Sequence, residues 1–520
     1  MSRRKPQHLQ GTTSADLDEL ERTPCGHQQD TVLSYQVKLI TPALLGGFSA
    51  RSPDPDHPFR EKAIRGHWRC WWRWMMRAGL LDDMGLEPIK PSTATPAERR
   101  DLENRVWGTV HGQQDASALP SRVALHMTSP QQLALEPCQT WKWVARANHP
   151  NGGRYEWLFT AEAAPLRYAL SGAAAQKNPE NPKHVPPRNL VSPGAHFELE
   201  VRVSAVSDAE GQWKLDKSTA GAVAKMLGYW AAFGGLGSRT RRGFGAFTLS
   251  PAHGTPAALP VELFSELAPQ NRRQKPSWCF ASGTADGQKL VGFVIQLIQS
   301  NPSAALTDAL QQMNEFRQGR GIGRNAYQGQ SLWHEADLGR IVAGRHTLHH
   351  DPLANPLRDC ALPVQAVPRA AFGHFELRFA PKDVRADDQN PRDPAPRTVL
   401  PQVTDETGNL TVADRLPSSM LMRPLVWMDA KGQSQIGMLM AQFQHMAGAN
   451  IPAMVFKPGG HGAAQSKAYP ASKSAIHAAA PGEWARIKPL NHTACAAGVF
   501  TDPQDAAQAF MNFAYNRLRG

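Results

Sequence analysis

Positions 233–245 read FGGLGSRTRRGFG, five glycines and three arginines in thirteen residues. The apolar periodicity before them predicts a helix over 216–232, and Gly243–Leu249 after them reads as a strand. Glycines let a backbone approach another chain closely and present successive N–H donors, and the arginines add positive charge. The stretch is no nucleotide loop. No G-K-[ST] follows the four-residue gap that a Walker A loop requires, and Thr240 stands where G-x-G-x-x-G needs its last glycine. What remains is cradling of phosphates along a longer nucleic acid, with Gly235, Gly237, Ser238, Arg239, Thr240, Arg241 and Arg242 as contact residues. The plain alternative is a flexible turn between helix and strand.

Working outward, RGHWRCWWRWMMR (65–77) belongs to a second predicted helix over about 60–80. Arg65, Arg69, Arg73 and Arg77 recur every four residues and so share a face, while Ile64, Trp68, Trp71 and Met75 form a separate apolar stripe toward the core. Four guanidinium groups on one face repel unless an anion sits among them, and a phosphate backbone meets that need. Nearby in sequence only Glu61 and Asp82–Asp83 could serve instead. This reading makes Arg65, Arg69 and Arg73 RNA ligands, and removal of Arg69 or Arg73 should leave stability nearly unchanged. A third stretch, Phe316–Arg345, interleaves Arg317, Arg320, Arg324, Arg340 and Arg345 with Tyr327 and Trp333. Such interleaving suits single-stranded RNA, whose bases stack on aromatic rings. Arg320 and Arg324 are its candidate ligands, against the alternative of core aromatics beside a solvated loop.

The rest of the chain reads as alternating strands and helices in two halves. Tyr35–Ile40, Arg122–Met127, Glu156–Phe159 and the strictly alternating Phe197–Val203 are strand-like in the first. In the second, Leu290–Ile298, Phe372–Phe379 and Ser419–Trp427 are strands and Ala304–Phe316 a helix. Asp502 and Pro503 open a closing helix as N-cap and first helical residue. Pro381–Pro401 and Pro458–Pro481 resist a packed reading. The expected organisation is a polar tail (1–30), a first domain (31–260) and a second (270–520), with the boundary in 250–275. The fold class is α+β, with helices packed on one face of an antiparallel sheet.

The 57 basic and 45 acidic residues leave a net charge of +12, which favours a polyanionic partner. No run of eighteen apolar residues and no apolar stretch behind the basic N-terminus occurs, so a membrane span and a secretory signal are not expected. Cys25, Cys70, Cys138, Cys279, Cys360 and Cys495 lie far apart with no C-x-x-C pair, which predicts reduced thiols and a cytoplasmic protein. Catalysis has two weak footholds. His346, His349, His350 and Asp351 look metal-friendly but lack further ligands in a suitable pattern. His67 could act as general acid or base in metal-free RNA cleavage, yet no lysine or second histidine is near it in sequence. No catalytic residue, metal or cofactor is expected.

The strand ending in TPALLGG (41–47), the helix IRGHWRCWWR (64–73) and the loop GGLGSRTRRGFG (234–245) together resemble the RAMP superfamily of CRISPR systems. Within it, the similarity is greatest to the first-numbered subunit group of type III-B (Cmr) effectors. VWGT (106–109), GRGIGRN (319–325), PRAAFG (368–373) and DRLPSS (414–419) agree, so that the resemblance spans about 31–440. It implies two tandem ferredoxin-like (RRM-like) domains with long insertions and a glycine-rich loop against RNA. It also implies a non-catalytic subunit near the 3′ region of the crRNA that helps capture target RNA beside other RAMP subunits. The alternatives are a metal-independent endoribonuclease that processes CRISPR RNA and a purely structural subunit.

Overall fold

The computed structural model describes residues 30–252, apart from 48–50, 55–56, 87–89, 110–118, 146–151, 162, 171–183, 208–212 and 215. Beyond these it describes 277–283, 289–298, 301–318, 372, 375–377, 397–404, 409–412, 418–429, 431–444, 454–458, 475–476 and 506–519. The tail up to residue 29, most of the expected 250–275 boundary, Arg320, Arg324, His346–Asp351, Asp502 and Pro503 lie outside the described residues.

Strand β1 (Thr31–Leu39) buries Leu33, Tyr35, Val37 and Leu39 and turns the residues between them to the other face. That period of two is what a strand with one covered face requires. After it come α1 (Glu61–Arg77), α2 (Pro96–Trp107), β2 (Val123–Met127), β3 (His196–Val203), α3 (Lys217–Phe233) and β4 (Phe247–Pro251). The four strands pair antiparallel in the spatial order β4-β1-β3-β2, the layout of a βαββαβ unit. The expected strand from Gly243 starts later, because Thr240–Arg242 forms a tight 3₁₀ turn first.

The second half supplies β5 (Ser277–Gly283), β6 (Lys289–Leu297), α4 (Pro302–Gln318), β7 (Met420–Met428), β8 (Ser434–Gln444) and α5 (Ala506–Arg519). Its sheet runs β5-β6-β8-β7, again antiparallel throughout. The spatial pattern repeats that of the first sheet, but the edge strand β5 precedes β6 in the chain instead of following the last helix. A third sheet gathers Phe375–Leu377, Leu410–Val412, Met454–Pro458 and Ala475–Ile476 around Arg397–Thr404. Three of its strands, Arg397–Thr404, Met454–Pro458 and Ala475–Ile476, therefore fall at the edge of, or within, segments the sequence reading left unpacked. Thr398, Val399 and Val403 supply the β-branched residues that a strand favours.

The two sheets share a layer of helices. Helix α3 buries Ala220 and Val223 in its first turns and is buried on every side from Met226 through Tyr229 and Trp230 to Phe233. Trp230 lies 4.3 Å from Phe247 of β4, while Phe233 lies 5.9 Å from Phe280 of β5. Helix α1 buries the predicted Ile64, Trp68, Trp71 and Met75 and also Trp72, Trp74 and Met76. Its Trp71 meets Phe233 at 5.4 Å and Phe443 of β8 at 5.9 Å. The opposite face of the second sheet is covered by α4 and α5, with Phe293 edge-on to Tyr515 at 5.2 Å. Leu421, Leu425, Trp427, Leu439 and Ala441 thus face α1 and α3, and Met420, Met422, Met438 and Met440 face the outer helices. The expectation of helices on one face holds for the first sheet only. MLMRPLVWM has no polar alternation because both faces of its sheet are covered.

Because the Trp71 ring sits where the two halves meet, Trp71→Ala should cost about 3–5 kcal/mol. Thermal unfolding of the variant should remain one transition at a lower midpoint. Two separated transitions would mean that the halves do not share this core.

Candidate nucleic-acid interface

The segment after β1 and the glycine-rich loop are stitched together across nearly two hundred residues. The Thr41 hydroxyl, fully buried, donates to the Gly243 carbonyl at 2.7 Å and accepts from the Ala246 N–H at 2.9 Å. Gly245 N–H donates to Pro42 O and Ser238 N–H to Leu44 O, both at 2.8 Å. Two glycines here are steric requirements. A Cβ on Gly245 (φ +65°) would lie 1.9 Å from the Leu236 carbonyl oxygen, and one on Gly237 (φ +88°) 2.5 Å from that of Leu44. Gly235 is likewise enclosed, with Thr240 packed against it. Gly235, Gly237, Ser238 and Thr240 are therefore shaped first by the protein's own backbone.

Two of the loop's three arginines, Arg241 and Arg242, turn into the second half. Arg239, itself left-handed at φ +62°, donates to the Ala169 carbonyl, and Arg241 donates to that of Ser418. Arg242 Nη2 donates to Phe372 O at 2.7 Å. Burial, then the nearby Arg317, push the Arg242 guanidinium down to about 10. In return Arg423 of β7 donates to Phe247 O of β4 at 2.7 Å and lies 4.8 Å over the Phe247 ring, with burial pushing it down to about 9. The sequence reading, which assigned Arg239, Arg241 and Arg242 to phosphate, did not foresee these partners inside the protein.

On α1 the anion among the arginines is a protein carboxylate. Glu103 of α2, only 4% exposed, accepts from Arg69 Nε at 2.7 Å, from Arg73 Nε at 2.6 Å and from Arg73 Nη2 at 2.8 Å. Burial alone would raise the Glu103 carboxyl; hydrogen bonds and charge from Arg73 and Arg69 outweigh it and hold the group below its ordinary range. Arg65 donates to the Val123 carbonyl and to Ser121 Oγ. The premise that Arg69 and Arg73 lack a nearby carboxylate is corrected, because the partner is thirty residues or more away in sequence. A signal for its helix was present. Thr95 is the N-cap, Pro96 follows, and Glu98 returns a hydrogen bond to the Thr95 N–H at 2.7 Å, a complete capping box.

Where the 41–47 segment, the start of α1 and the glycine-rich loop meet, a cleft of about 260 Å³ opens. Leu44, Leu45, Phe59, Ile64 and Leu236 form its apolar wall, and Arg60, His67, Arg188 and Ser238 its polar edge. Burial holds His67 below the ordinary histidine range, against the opposing effect of its bond to the Gly235 backbone. Arg188 Nη1 reaches Ser238 Oγ at 3.4 Å. Behind this edge the arginines press on one another. After burial, Arg188 lowers both Arg51 and Arg239, while Arg317, Arg239 and Arg241 lower Arg242. Cys138 opposes the effect at Arg51 and Arg239, and Tyr168 opposes it at Arg242. On α1, Glu103 gathers two arginines, whereas behind the cleft Arg188 lies close enough to Arg51 and Arg239 for the guanidinium groups to feel one another. Arg60 and Arg188 are the functional candidates that sequence reading missed, since each is a lone arginine beside a proline (Pro58) or in a proline-rich loop (Pro186–Pro187). Among the described residues no three His, Cys, Asp or Glu side chains come together as metal ligands, and no helix is long and apolar enough to cross a membrane.

Residues 36–248 match the family model of the RAMP superfamily, the stretch that holds the first sheet, both interface segments and the cleft. No curated protein matches the chain. Among solved structures, a chain of the type III-B Cmr-beta complex bound to cognate target RNA is 12% identical at a TM-score of 0.36, with 80% of this chain and 96% of that chain covered. A chain of the same complex with target RNA and AMPPnP in the presence of ssDNA is 11% identical at 0.35, with the same coverage.

Glu103→Gln should destabilise the protein by about 1–3 kcal/mol at pH 7, because two guanidinium groups lose a charged acceptor. The sign with pH follows from the depressed carboxyl: its contribution is whole above the ordinary carboxylate pKa of about 4.3 and disappears as pH falls through the lower folded-state value. Melting midpoints of variant and parent should therefore differ at pH 7 and converge in acid. By the same contacts Arg69→Ala should lower the midpoint, contrary to the reading of a solvated basic face.

Proposed function

We propose that this chain is a non-catalytic RNA-binding subunit of a type III-B CRISPR (Cmr) effector. In this reading it sits near the 3′ region of the crRNA and helps capture target RNA, in the cytoplasm and beside other RAMP subunits. The observation that carries it is the cleft between the glycine-rich loop and α1, edged by Arg60 and Arg188, with Arg188 close enough to Arg51 and Arg239 to lower both. Positive charges gathered at one place attract a polyanion. The RAMP match over 36–248 and the net charge of +12 support the same reading.

Within it the arginines divide. Arg60 and Arg188 meet phosphate directly. Arg239, Arg241 and Arg242 keep N–H donors beyond those given to carbonyls, since each guanidinium carries five, and they add field to the cleft. Arg65, Arg69 and Arg73 hold α1 to its neighbours and present what remains of their charge to RNA. Arg320 and Arg324 stay candidates from sequence. His67, with its ring bonded to the Gly235 backbone, positions the loop in this scheme.

The test is binding of labelled single-stranded RNA by the full chain across a salt series in EDTA. Arg60→Gln with Arg188→Gln should flatten the slope of log affinity against log salt by about one to two units, as two phosphate contacts release fewer counterions, and leave melting nearly unchanged. An unchanged slope would remove the cleft from the interface. Cleavage of the RNA in EDTA that His67→Ala abolishes would favour the endoribonuclease reading.

A further inference from the structure

We propose that the cleft is a pocket for one unpaired RNA nucleotide, with the base against the apolar wall and its phosphate at Arg188 and Arg60. The inference rests on the RNA-binding reading above and adds to it the unit that is recognised.

Size sets the first limit. About 260 Å³ is at the small end of ligand pockets and admits a single nucleotide, whereas a base-paired strand cannot enter. Chemistry sets the second. Leu44, Leu45, Phe59, Ile64 and Leu236 are each at least nine-tenths buried, and what they still expose at the cleft is hydrocarbon. A phosphate has no partner on such a wall, but the face of a base does. At the edge, Arg188 Nε is a buried donor with no hydrogen-bond partner among the described residues, although Nη1 of the same group is held by Ser238. His67, kept neutral at pH 7 by burial and using one ring N–H on the Gly235 carbonyl, leaves its other nitrogen as an acceptor. A base amino group or a 2′-hydroxyl donates to it. Apolar wall, unused cationic donor and neutral acceptor together describe a splayed nucleotide better than a length of backbone.

Gly46 offers a way to close the pocket without breaking the fold. It lines the cleft, and a Cβ there meets no atom of the described residues within 4 Å, whereas at the adjacent Gly47 it would lie 2.3 Å from Ser52 O. Gly46→Phe should therefore melt like the parent, reduce affinity for single-stranded RNA by about tenfold, the loss of one stacked base, and leave the salt slope unchanged because the arginines remain. In parallel, RNAs with a single abasic position are scanned against the unmodified chain, first along a guide strand and then along a target strand. One position whose abasic form costs about as much as Gly46→Phe supports the pocket, and the strand that carries it identifies the source. This scan needs no variant and decides the matter if Gly46→Phe does not fold. Equal small losses at every position, or full affinity in folded Gly46→Phe, overturn the pocket while leaving RNA binding in place. Failure of the unmodified chain to bind single-stranded RNA overturns the RNA-binding reading itself.

Discussion

From Met226 to Phe233 helix α3 has no face left for water, and the architecture follows from covering it. A helical segment apolar all round, as Met226–Phe233 is, must be enclosed, so one sheet meets it where Phe247 packs on Trp230 and the other where Phe280 packs on Phe233. The second sheet, committed to α3 and α1 by one face, still has its methionine-rich face to bury, and α4 and α5 complete the stack. The order of layers is thus sheet, helices, sheet, helices. Since Gly234 N–H closes the end of α3 on Trp230 O at 2.8 Å, the glycine-rich loop starts from one of the most constrained points in the molecule.

That anchoring gives the loop a second task. Its arginines donate to Ala169, Ser418 and Phe372, and Arg423 answers from the other side to Phe247. Burying a guanidinium without a carboxylate is costly, and the depressed values of Arg242 and Arg423 register that cost. Carbonyl acceptors and the Phe247 ring recover part of it. The arrangement joins the halves through positive groups, so that cohesion of the fold and attraction for a polyanion use neighbouring residues. On α1 the balance goes the other way. One buried glutamate gathers Arg69 and Arg73, and that face becomes a joint with α2.

Local regularities were legible in the sequence. Alternation in TVLSYQVKL and HFELEVRV marked half-covered strands, and the stripe Ile64, Trp68, Trp71, Met75 marked the buried side of α1. The motifs around Thr41–Gly47 and Phe233–Gly245 pointed to the RAMP superfamily, which matches over 36–248. The capping box at Thr95 was equally readable and would have supplied α2 and with it Glu103. Less legible was β8: Ser434–Gln444 carries the mixed composition of a strand covered on both faces, and periodicity alone does not separate such a run from a buried helix.

The sequence by itself determined the period of each regular element, the excess of positive charge and the glycines without which residues 237 and 245 could not pass so close to neighbouring carbonyls. Those are properties of a residue and its immediate neighbours. Only the tertiary structure decided which arginines are neutralised. Arg73 meets Glu103 thirty residues away, and Arg242 meets Phe372 across a hundred and thirty. Whether a guanidinium serves a partner inside the chain or is available to one outside depends on what the fold brings within about 3 Å of it, and no spacing along the chain encodes that distance.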